Sequence, residues 1–389
     1  MLECRSGQTA FVHCLNFFRS FHVPIITDIE AMQLALQLAE QSLYITSPNP
    51  RVGCVIVRDG KVIAQGRTQP AGQAHAEAAA LRDAAERGMD VRGATAYVTL
   101  EPCSHHGRTP PCADALVRAG VARVVVAIDD PNPLVAGQGL ARLRDAGIKT
   151  ELGLLADAAR ELNIGFFSRM QRGRPWVRMK IAASLDGGTA LLNGQSQWIT
   201  SEPARADGHA WRARACAILT GIGTVEQDDP QLTVRAVKTP RQPQRIVLDS
   251  ALQIRDDARV LQGGGTWIVT TVSDEAVDAR HVAALEGTGA EIICLPSEAG
   301  KVDLHALMQE LGRRQINELH IEAGYKLNGS LLRAGVVDEL LVYLAPSLLG
   351  PAQGMARLPE LQALSGQIRL RFHQMQTIGD DLRLLLRSD

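Results

Sequence analysis

Four side chains in a fixed order, His75 and Glu77 and then Cys103 and Cys112, constrain this chain more than any other feature. A β-rich alternating run from Ala94 to Leu100 reads as a strand that ends on Pro102-Cys103. A polar loop with Pro110-Pro111 follows, and Cys112 opens an apolar-periodic helix to Arg118. A helix N-terminus stabilises a thiolate, which suits Cys112 to metal ligation. Upstream, His75 and Glu77 fall in the first turn of an Ala-rich helix, His75–Glu86. Two thiolates and one imidazole give Zn2+ three ligands and leave a fourth position open to water, as in a catalytic rather than a structural site. Glu77 is too close to His75 to be a second ligand from that turn. It is placed to take a proton from water and hand it to a leaving amine. Singly, each of these residues reads as a core histidine or a buried thiol; the ordered set carries the chemistry.

His-x-Glu followed by Pro-Cys and a second Cys is the zinc nucleobase-deaminase pattern. Here eight residues separate the two cysteines, not the usual two. Residues 101–112, Glu-Pro-Cys-Ser-His-His-Gly-Arg-Thr-Pro-Pro-Cys, closely resemble the deaminase half of the bifunctional riboflavin-biosynthesis deaminase–reductases. The resemblance implies Zn2+ on His75, Cys103 and Cys112, Glu77 as the catalytic acid–base, and Asn49 as a residue that positions the base. It also implies a substrate-side loop at Asp129–Pro133. From the residues alone, Asn49 reads equally well as a turn Asn between two prolines.

A chain of 389 residues suggests two domains, and 46% hydrophobic with 21% charged residues describes a globular protein. The net charge of −1 offers no general field for nucleic acid or an anionic membrane, which points to a small-molecule substrate. Seven cysteines in a chain this long do not make a secreted disulfide framework, so those outside the metal set read as reduced thiols of a cytoplasmic protein. No apolar run reaches membrane-spanning length. Residues 1–26 lack the layout of a signal peptide and read as a poorly ordered N-terminal extension.

Thr27-Asp28-Ile29-Glu30 reads as a capping box that opens a helix to about Tyr44. Strands at 52–57 and 61–66 flank the hairpin turn Asp59-Gly60. Beyond the second cysteine the pattern predicts a strand at 123–128, a helix at 135–146, a short strand at 148–152 and one helix at 156–170. The basic stretch Arg169–Pro175 reads as a linker. The expected domains are 27–170 and 174–389.

In the second half, strands are expected at 176–182, 216–220, 244–249, 266–271, 290–294, 318–322 and 338–344. Helices are expected at 202–214, 303–313 and 327–335, with a terminal hairpin around Gly379-Asp380-Asp381. There is no Gly-x-Gly-x-x-Gly, and the Walker-like spacing Gly324 to Gly329 lacks its lysine, so neither common nucleotide fingerprint applies. A strand, a glycine turn and a helix N-terminus around Gly324 could still hold a phosphate.

Four stretches, Ala183–Gly187, Gln195–Thr200, Ile222–Arg235 and Glu322–Gly324, resemble the reductase half of the same family, whose fold is similar to dihydrofolate reductase. That resemblance implies contacts to NADPH from Ala182, Trp198, Thr224, Asp228, Ser250 and the loop Gly324, Tyr325, Lys326, Leu327, Asn328, Gly329, Ser330. It implies contacts to the pyrimidine ribosyl phosphate from Ser196, Arg212, Leu232, Arg235 and Glu322, the two arginines gripping phosphate bidentately. Gly188 stands where the family carries Lys or Arg, so a charge near the cofactor is either missing or supplied from elsewhere.

The expected architecture is therefore α/β, with an N-terminal cytidine-deaminase-like α/β/α sandwich and a C-terminal dihydrofolate-reductase-like α/β domain. The expected protein deaminates 2,5-diamino-6-ribosylamino-4(3H)-pyrimidinone 5′-phosphate with zinc and reduces the ribosyl group to ribityl with NADPH. It is expected to work as a homodimer or larger assembly. Two rivals remain at this point: a deaminase of another nucleobase, nucleoside or tRNA whose second domain only binds a nucleotide, and a non-catalytic zinc module with His105 or His106 as fourth ligand.

Overall fold

The computed structural model describes residues 25–104, 110–133, 135–272, 278–296 and 300–388. The rest, including most of the expected extension and both His105 and His106, lie outside the described residues.

Helix α1 (Asp28–Glu40) starts on the expected capping box: the Thr27 hydroxyl accepts from the Glu30 amide at 3.3 Å, and the Thr27 amide donates to the Glu30 carboxylate at 2.8 Å. Its buried stripe is Ala31, Met32, Ala35, Leu36 and Ala39. The helix stops at Glu40, short of Tyr44, where the Ser42 hydroxyl turns aside to donate to the Thr68 carbonyl at 2.8 Å. Strands β1 (Gly53–Arg58) and β2 (Lys61–Arg67) form the expected hairpin. Asp59 and Gly60 both sit at positive φ (50° and 69°), the mirror-image turn that matches strand twist.

The chain continues through α2 (Ala76–Glu86), β3 (Thr95–Val98), α3 (Cys112–Ala119), β4 (Arg123–Val126), α4 (Gln138–Asp145) and β5 (Lys149–Leu152). The five strands pair in the order β2-β1-β3-β4-β5, antiparallel at β2-β1-β3 and parallel at β3-β4-β5. Helices cover the sheet, whose central residues Val55, Ile56, Ala96, Val98 and Val124 are fully buried. Parallel β3-β4-β5 puts the ends of these strands, and the helices that follow them, on one edge.

The helix expected at 156–170 is two helices, α5 (Ala156–Leu162) and α6 (Ile164–Arg172). Asn163 breaks it because its amide serves another segment: it accepts from the Arg51 amide at 2.7 Å and donates to the Arg51 carbonyl at 2.9 Å. The expected linker is largely helical too. Arg172 and Arg174 are held by the Asp338 carboxylate at 2.8 Å, which leaves only Gly173–Pro175 as connection.

The second half folds into a nine-stranded sheet and a two-stranded ribbon, with helices between their strands. Its elements in chain order are β6 (Trp176–Ser184), β7 (Ala190–Leu191), α7 (Glu202–Arg214), β8 (Ala217–Gly221), α8 (Ile222–Asp228), β9 (Gln244–Leu248), β10 (Thr266–Thr270), α9 (Ala279–Gly287), β11 (Glu291–Cys294), α10 (Leu304–Arg313), β12 (Glu318–Ile321), α11 (Tyr325–Arg333), β13 (Glu339–Ala345), β14 (Ala352–Gln353), β15 (Leu370–Ile378) and β16 (Asp381–Ser388). The order is β11-β10-β9-β8-β12-β6-β13-β16-β15, parallel except for the terminal hairpin, while β7 and β14 form a separate ribbon. Because β12 inserts between β8 and β6, the carboxyl ends of these strands face a common crevice, where open α/β sheets bind ligands. Among the described residues no helix is long and apolar enough to cross a membrane.

Glu101, at the end of the β3 segment, caps α4: its carboxylate accepts from the amides of Gly137 at 2.9 Å and Leu140 at 3.1 Å. Gly139 then lies directly against the Pro102 carbonyl, so any Cβ there runs into backbone. Gly139→Ala is expected to cost about 1–3 kcal/mol, read by urea unfolding, and to lower zinc content by displacing the Pro102-Cys103 segment. Unchanged stability and zinc content would show that α4 does not brace that segment.

Candidate functional site

His75 is the N-cap of α2, one residue outside the helix, with extended φ/ψ (−73°, 167°). Cys112 is the first residue of α3, and Cys103 leaves the β3 segment. The His75 Nδ1 atom lies 3.6 Å from the Cys103 sulfur and 3.4 Å from the Cys112 sulfur, and all three ligand atoms fall within 4.8 Å of one another. Tetrahedral ligands at ordinary Zn–N and Zn–S lengths would be about 3.6 Å apart, so the trio fits a zinc ion. The Cys112 amide donates to the Cys103 sulfur at 3.3 Å. Hydrogen bonding from Cys112, with help from His75, brings the Cys103 thiol down to about 4. That hydrogen bond and burial push Cys112 up, so without a metal one of the two thiols keeps its proton. A dication replaces that proton as the shared positive charge.

Glu77 is in the first turn of α2 and only 4% exposed. Burial, then the Cys103 charge, push its carboxyl up to about 7; a bound dication acts in the opposite sense. Burial thus favours the protonated form and a dication the ionised one, opposing pulls that suit a group that first takes and then gives a proton. A cavity of about 530 Å³ opens onto His75, Glu77 and Cys103, and its walls include Asn49, Asp130 and Asn132. Asn49 and, from the loop at 129–133, Asp130 and Asn132 thus line the same cavity as His75 and Cys103.

Among the lining residues not foreseen as site residues, two are polar side chains from distant parts of the chain. Arg169, assigned to the linker, reaches this cavity from α6, and Gln315 reaches it from the turn after α10. No local sequence signal marks Gln315, because it arrives from the other sheet.

A second cavity of about 700 Å³ lies at the carboxyl ends of β6, β8 and β12. Of the expected cofactor residues, Ala182, Trp198, Thr224, Asp228, Gly324, Tyr325 and Asn328 line it. Gly324 is the N-cap of α11, its amide donating to the Thr224 hydroxyl at 3.2 Å, so the positive end of that helix opens here. Trp198 is 70% exposed, and the Arg205 guanidinium lies 4.5 Å from its ring centre. A helix N-terminus, a bare indole face and a roomy crevice fit a dinucleotide such as NADPH.

Ser250, Lys326, Leu327, Gly329 and Ser330 do not line it. The Ser250 hydroxyl instead accepts from the Val302 amide at 3.3 Å, and the Ser330 hydroxyl donates to the Lys326 carbonyl at 3.3 Å. Leu327 covers Gly221, and Gly329 packs against the Arg357 backbone. Gly188, too, is enclosed by Ala352, Leu349 and Ser184.

All five expected substrate residues of this half, Ser196, Arg212, Leu232, Arg235 and Glu322, do line the cavity. Leu232 sits at φ 52°, a conformation costly for a branched residue, which fits a functional wall better than a plain turn. The bidentate grip expected of Arg212 is already taken. Its guanidinium binds the Glu322 carboxylate at 2.5 and 2.7 Å and the Thr233 carbonyl at 3.1 Å. Among the described residues the Arg235 guanidinium has only the neutral side chains of Gln231 and Thr233, at 3.3 and 3.1 Å, and Arg235 is exposed. Arg212 therefore orients Glu322, and Arg235 is the side chain of the pair suited to an anion. Lys180 also lines the cavity; burial lowers its pKa while Glu322 partly restores it. It sits two residues before Ala182 on the same face of β6, the period-two signal that could have found it.

Two family models match the chain. Residues 26–128 match the cytidine and deoxycytidylate deaminase zinc-binding region, and residues 175–384 match the RibD C-terminal domain. The riboflavin biosynthesis protein RibD of Escherichia coli is 48% identical over 369 residues, covering 91% of this chain and 98% of that protein. The Haemophilus influenzae protein of the same name is 44% identical, covering 92% and 96%. Among solved structures, Acinetobacter baumannii RibD superposes with a TM-score of 0.83 at 42% identity, covering 93% of this chain and 99% of that one. A Thermotoga maritima diaminohydroxyphosphoribosylaminopyrimidine deaminase/5-amino-6-(5-phosphoribosylamino)uracil reductase gives 0.82 at 31% identity over the same shares.

Proposed function

The chain belongs to the RibD family of bifunctional riboflavin-biosynthesis deaminase–reductases, and from that premise we infer how its own side chains divide the work. It is a zinc-dependent pyrimidine deaminase joined to an NADPH-dependent reductase. It removes the amine from 2,5-diamino-6-ribosylamino-4(3H)-pyrimidinone 5′-phosphate and then reduces the ribosyl group to ribityl. The rival in which the second half only binds a nucleotide is not favoured, because the curated relatives match across both halves.

When bound, zinc supplies Lewis acidity to a water molecule and NADPH supplies the hydride. His75, Cys103 and Cys112 hold the metal. Glu77 carries the proton from the attacking water to the departing nitrogen, and Asn49 orients the base. In the second cavity Ala182, Trp198, Thr224, Asp228 and the start of α11 orient the cofactor. Ser196, Leu232, Arg235 and Glu322 face the ribosyl phosphate, with Arg212 behind Glu322. The deaminase unit runs from 27 to the end of α6 at Arg172, two residues past the expected 170, and the reductase unit follows the short connection from 174 on. The chain works in the cytoplasm, which fits its free thiols. It associates with further copies of itself; the edge strand β15, where Phe372 and Met375 are 62% and 63% exposed, supports that association.

The close approach of one imidazole and two thiols beside a buried carboxylate carries this reading. Metal analysis is expected to give one zinc per chain, and Cys103→Ala to lose it together with deamination. NADPH oxidation with supplied uracil intermediate is expected to persist in that variant. Full zinc content in Cys103→Ala would break the ligand assignment.

A further inference from the structure

The deaminase cavity must accept a substrate that carries a phosphate dianion, yet its described walls bear the carboxylates of Glu77, Glu101 and Asp130. Among the described lining residues Arg169 is the one permanent cation. Other arginines nearby are spent on carboxylates: Arg172 and Arg174 on Asp338, and Arg51 and Arg214 on Glu318. Arg169 differs. Its Nε donates to the Asn317 side-chain oxygen at 2.6 Å, and Nη1 and Nη2 have no hydrogen-bond partner among the described residues. The guanidinium lies 5.9 Å from the Phe166 ring centre, and among the described residues no carboxylate pairs with it. Burial lowers its pKa, as expected of a cation drawn out of water without a counter-ion.

Asn317 belongs to the second sheet, just before β12. Its amide nitrogen donates to the Pro48 carbonyl at 2.9 Å, beside Asn49. One asparagine thus fixes both the Arg169 fork and the segment that carries the base-positioning residue. With Nε anchored, the two terminal nitrogens are free to present a planar pair of donors, the geometry that matches phosphate oxygens.

We propose that Arg169, oriented by Asn317 from the reductase half, binds the substrate's 5′-phosphate and sets the deaminase cavity's preference for the phosphorylated riboside. The assignment rests on the deaminase reading above. It makes the second sheet part of the first site's specificity.

The test compares deamination of the ribosylamino-pyrimidine 5′-phosphate with that of the same riboside lacking phosphate, without NADPH. In Arg169→Gln, KM for the phosphate is expected to rise roughly 10- to 100-fold, the worth of charge-assisted hydrogen bonds, while KM for the phosphate-free riboside stays put. Arg169→Lys should recover part of the loss. Asn317→Ala, which keeps the guanidinium but frees it, should raise KM by a smaller factor with kcat spared. Zinc content and NADPH-dependent reduction of supplied intermediate report whether each variant is folded. Equal losses on both substrates, or an unmoved KM in folded Arg169→Gln, overturn the assignment. Failure of the wild type to deaminate the phosphate at all would instead overturn the deaminase reading, and the assignment with it.

Discussion

Glu77→Gln is expected to reduce deamination by about 10²- to 10⁴-fold, the usual worth of a positioned acid–base group, while leaving reduction of supplied intermediate intact. The substitution is nearly isosteric at a site that is 4% exposed, so the packing of α2 is preserved. The metal trio, built from other side chains, is preserved with it. What is lost is the ability to take a proton from water and deliver it to nitrogen, since an amide does neither at neutral pH. Glu77→Asp is a sharper companion. It keeps the carboxyl but withdraws it by one methylene, and a misplacement of that order can itself cost about 10²-fold. The two reactions are measured separately, ammonia release from the diamino substrate and NADPH oxidation with the uracil intermediate. Among the described residues the two cavities share no lining residue, so a matching fall in both rates would contradict separate sites.

The metal set was legible because zinc chemistry restricts residue type, and strand, loop and helix start restrict spacing. The capping box at Thr27 and the turn at Asp59-Gly60 were legible for a related reason: each is a local backbone problem with few side-chain solutions. Local patterning also located the nine strands of the second sheet to within a residue or two. Long-range partners were not legible. Asn163 breaks an otherwise helical run because Arg51, 112 residues earlier, takes both ends of its amide. The basic stretch after α6 looked like a solvated linker, and only the fold brings Asp338 to Arg172 and Arg174. Arg212 looked like a phosphate ligand until Glu322, 110 residues on, was seen to occupy its fork. Helices α8 and α9 and the ribbon β7–β14 also went unread; the two strands of the ribbon are too short for any period to show.

Glu318→Ala is expected to be the most destabilising single change considered, by about 3–5 kcal/mol, because it strands a cluster of buried cations. The Glu318 carboxylate, 1% exposed, binds Arg51 at 2.6 Å, Arg214 at 2.7 Å and Arg178 at 3.1 Å. Arg178 leans on Glu339 as well, and Glu339 on Arg387, but Arg51 and Arg214 have no other carboxylate among the described residues. Arg51 precedes β1 of the first sheet and Glu318 opens β12 of the second, so the same carboxylate ties the two halves together. Burial alone would raise the Glu318 pKa, but Arg214, Arg51 and Arg178 outweigh it and hold the carboxyl well below the usual range. A depressed carboxylate contributes stability that is complete above its unfolded pKa, near 4.3, and drains as the pH falls below it. Glu318→Gln keeps the shape and removes the charge. Its deficit against wild type, read by urea unfolding, should be constant from pH 7 to 5 and should then shrink by about 1.4 kcal/mol per pH unit below about 4.3. A deficit that does not change with pH would mean that Glu318 acts through packing and not through its charge. In Glu318→Ala both activities should fall together as the halves lose their register, in contrast to the split expected at Glu77.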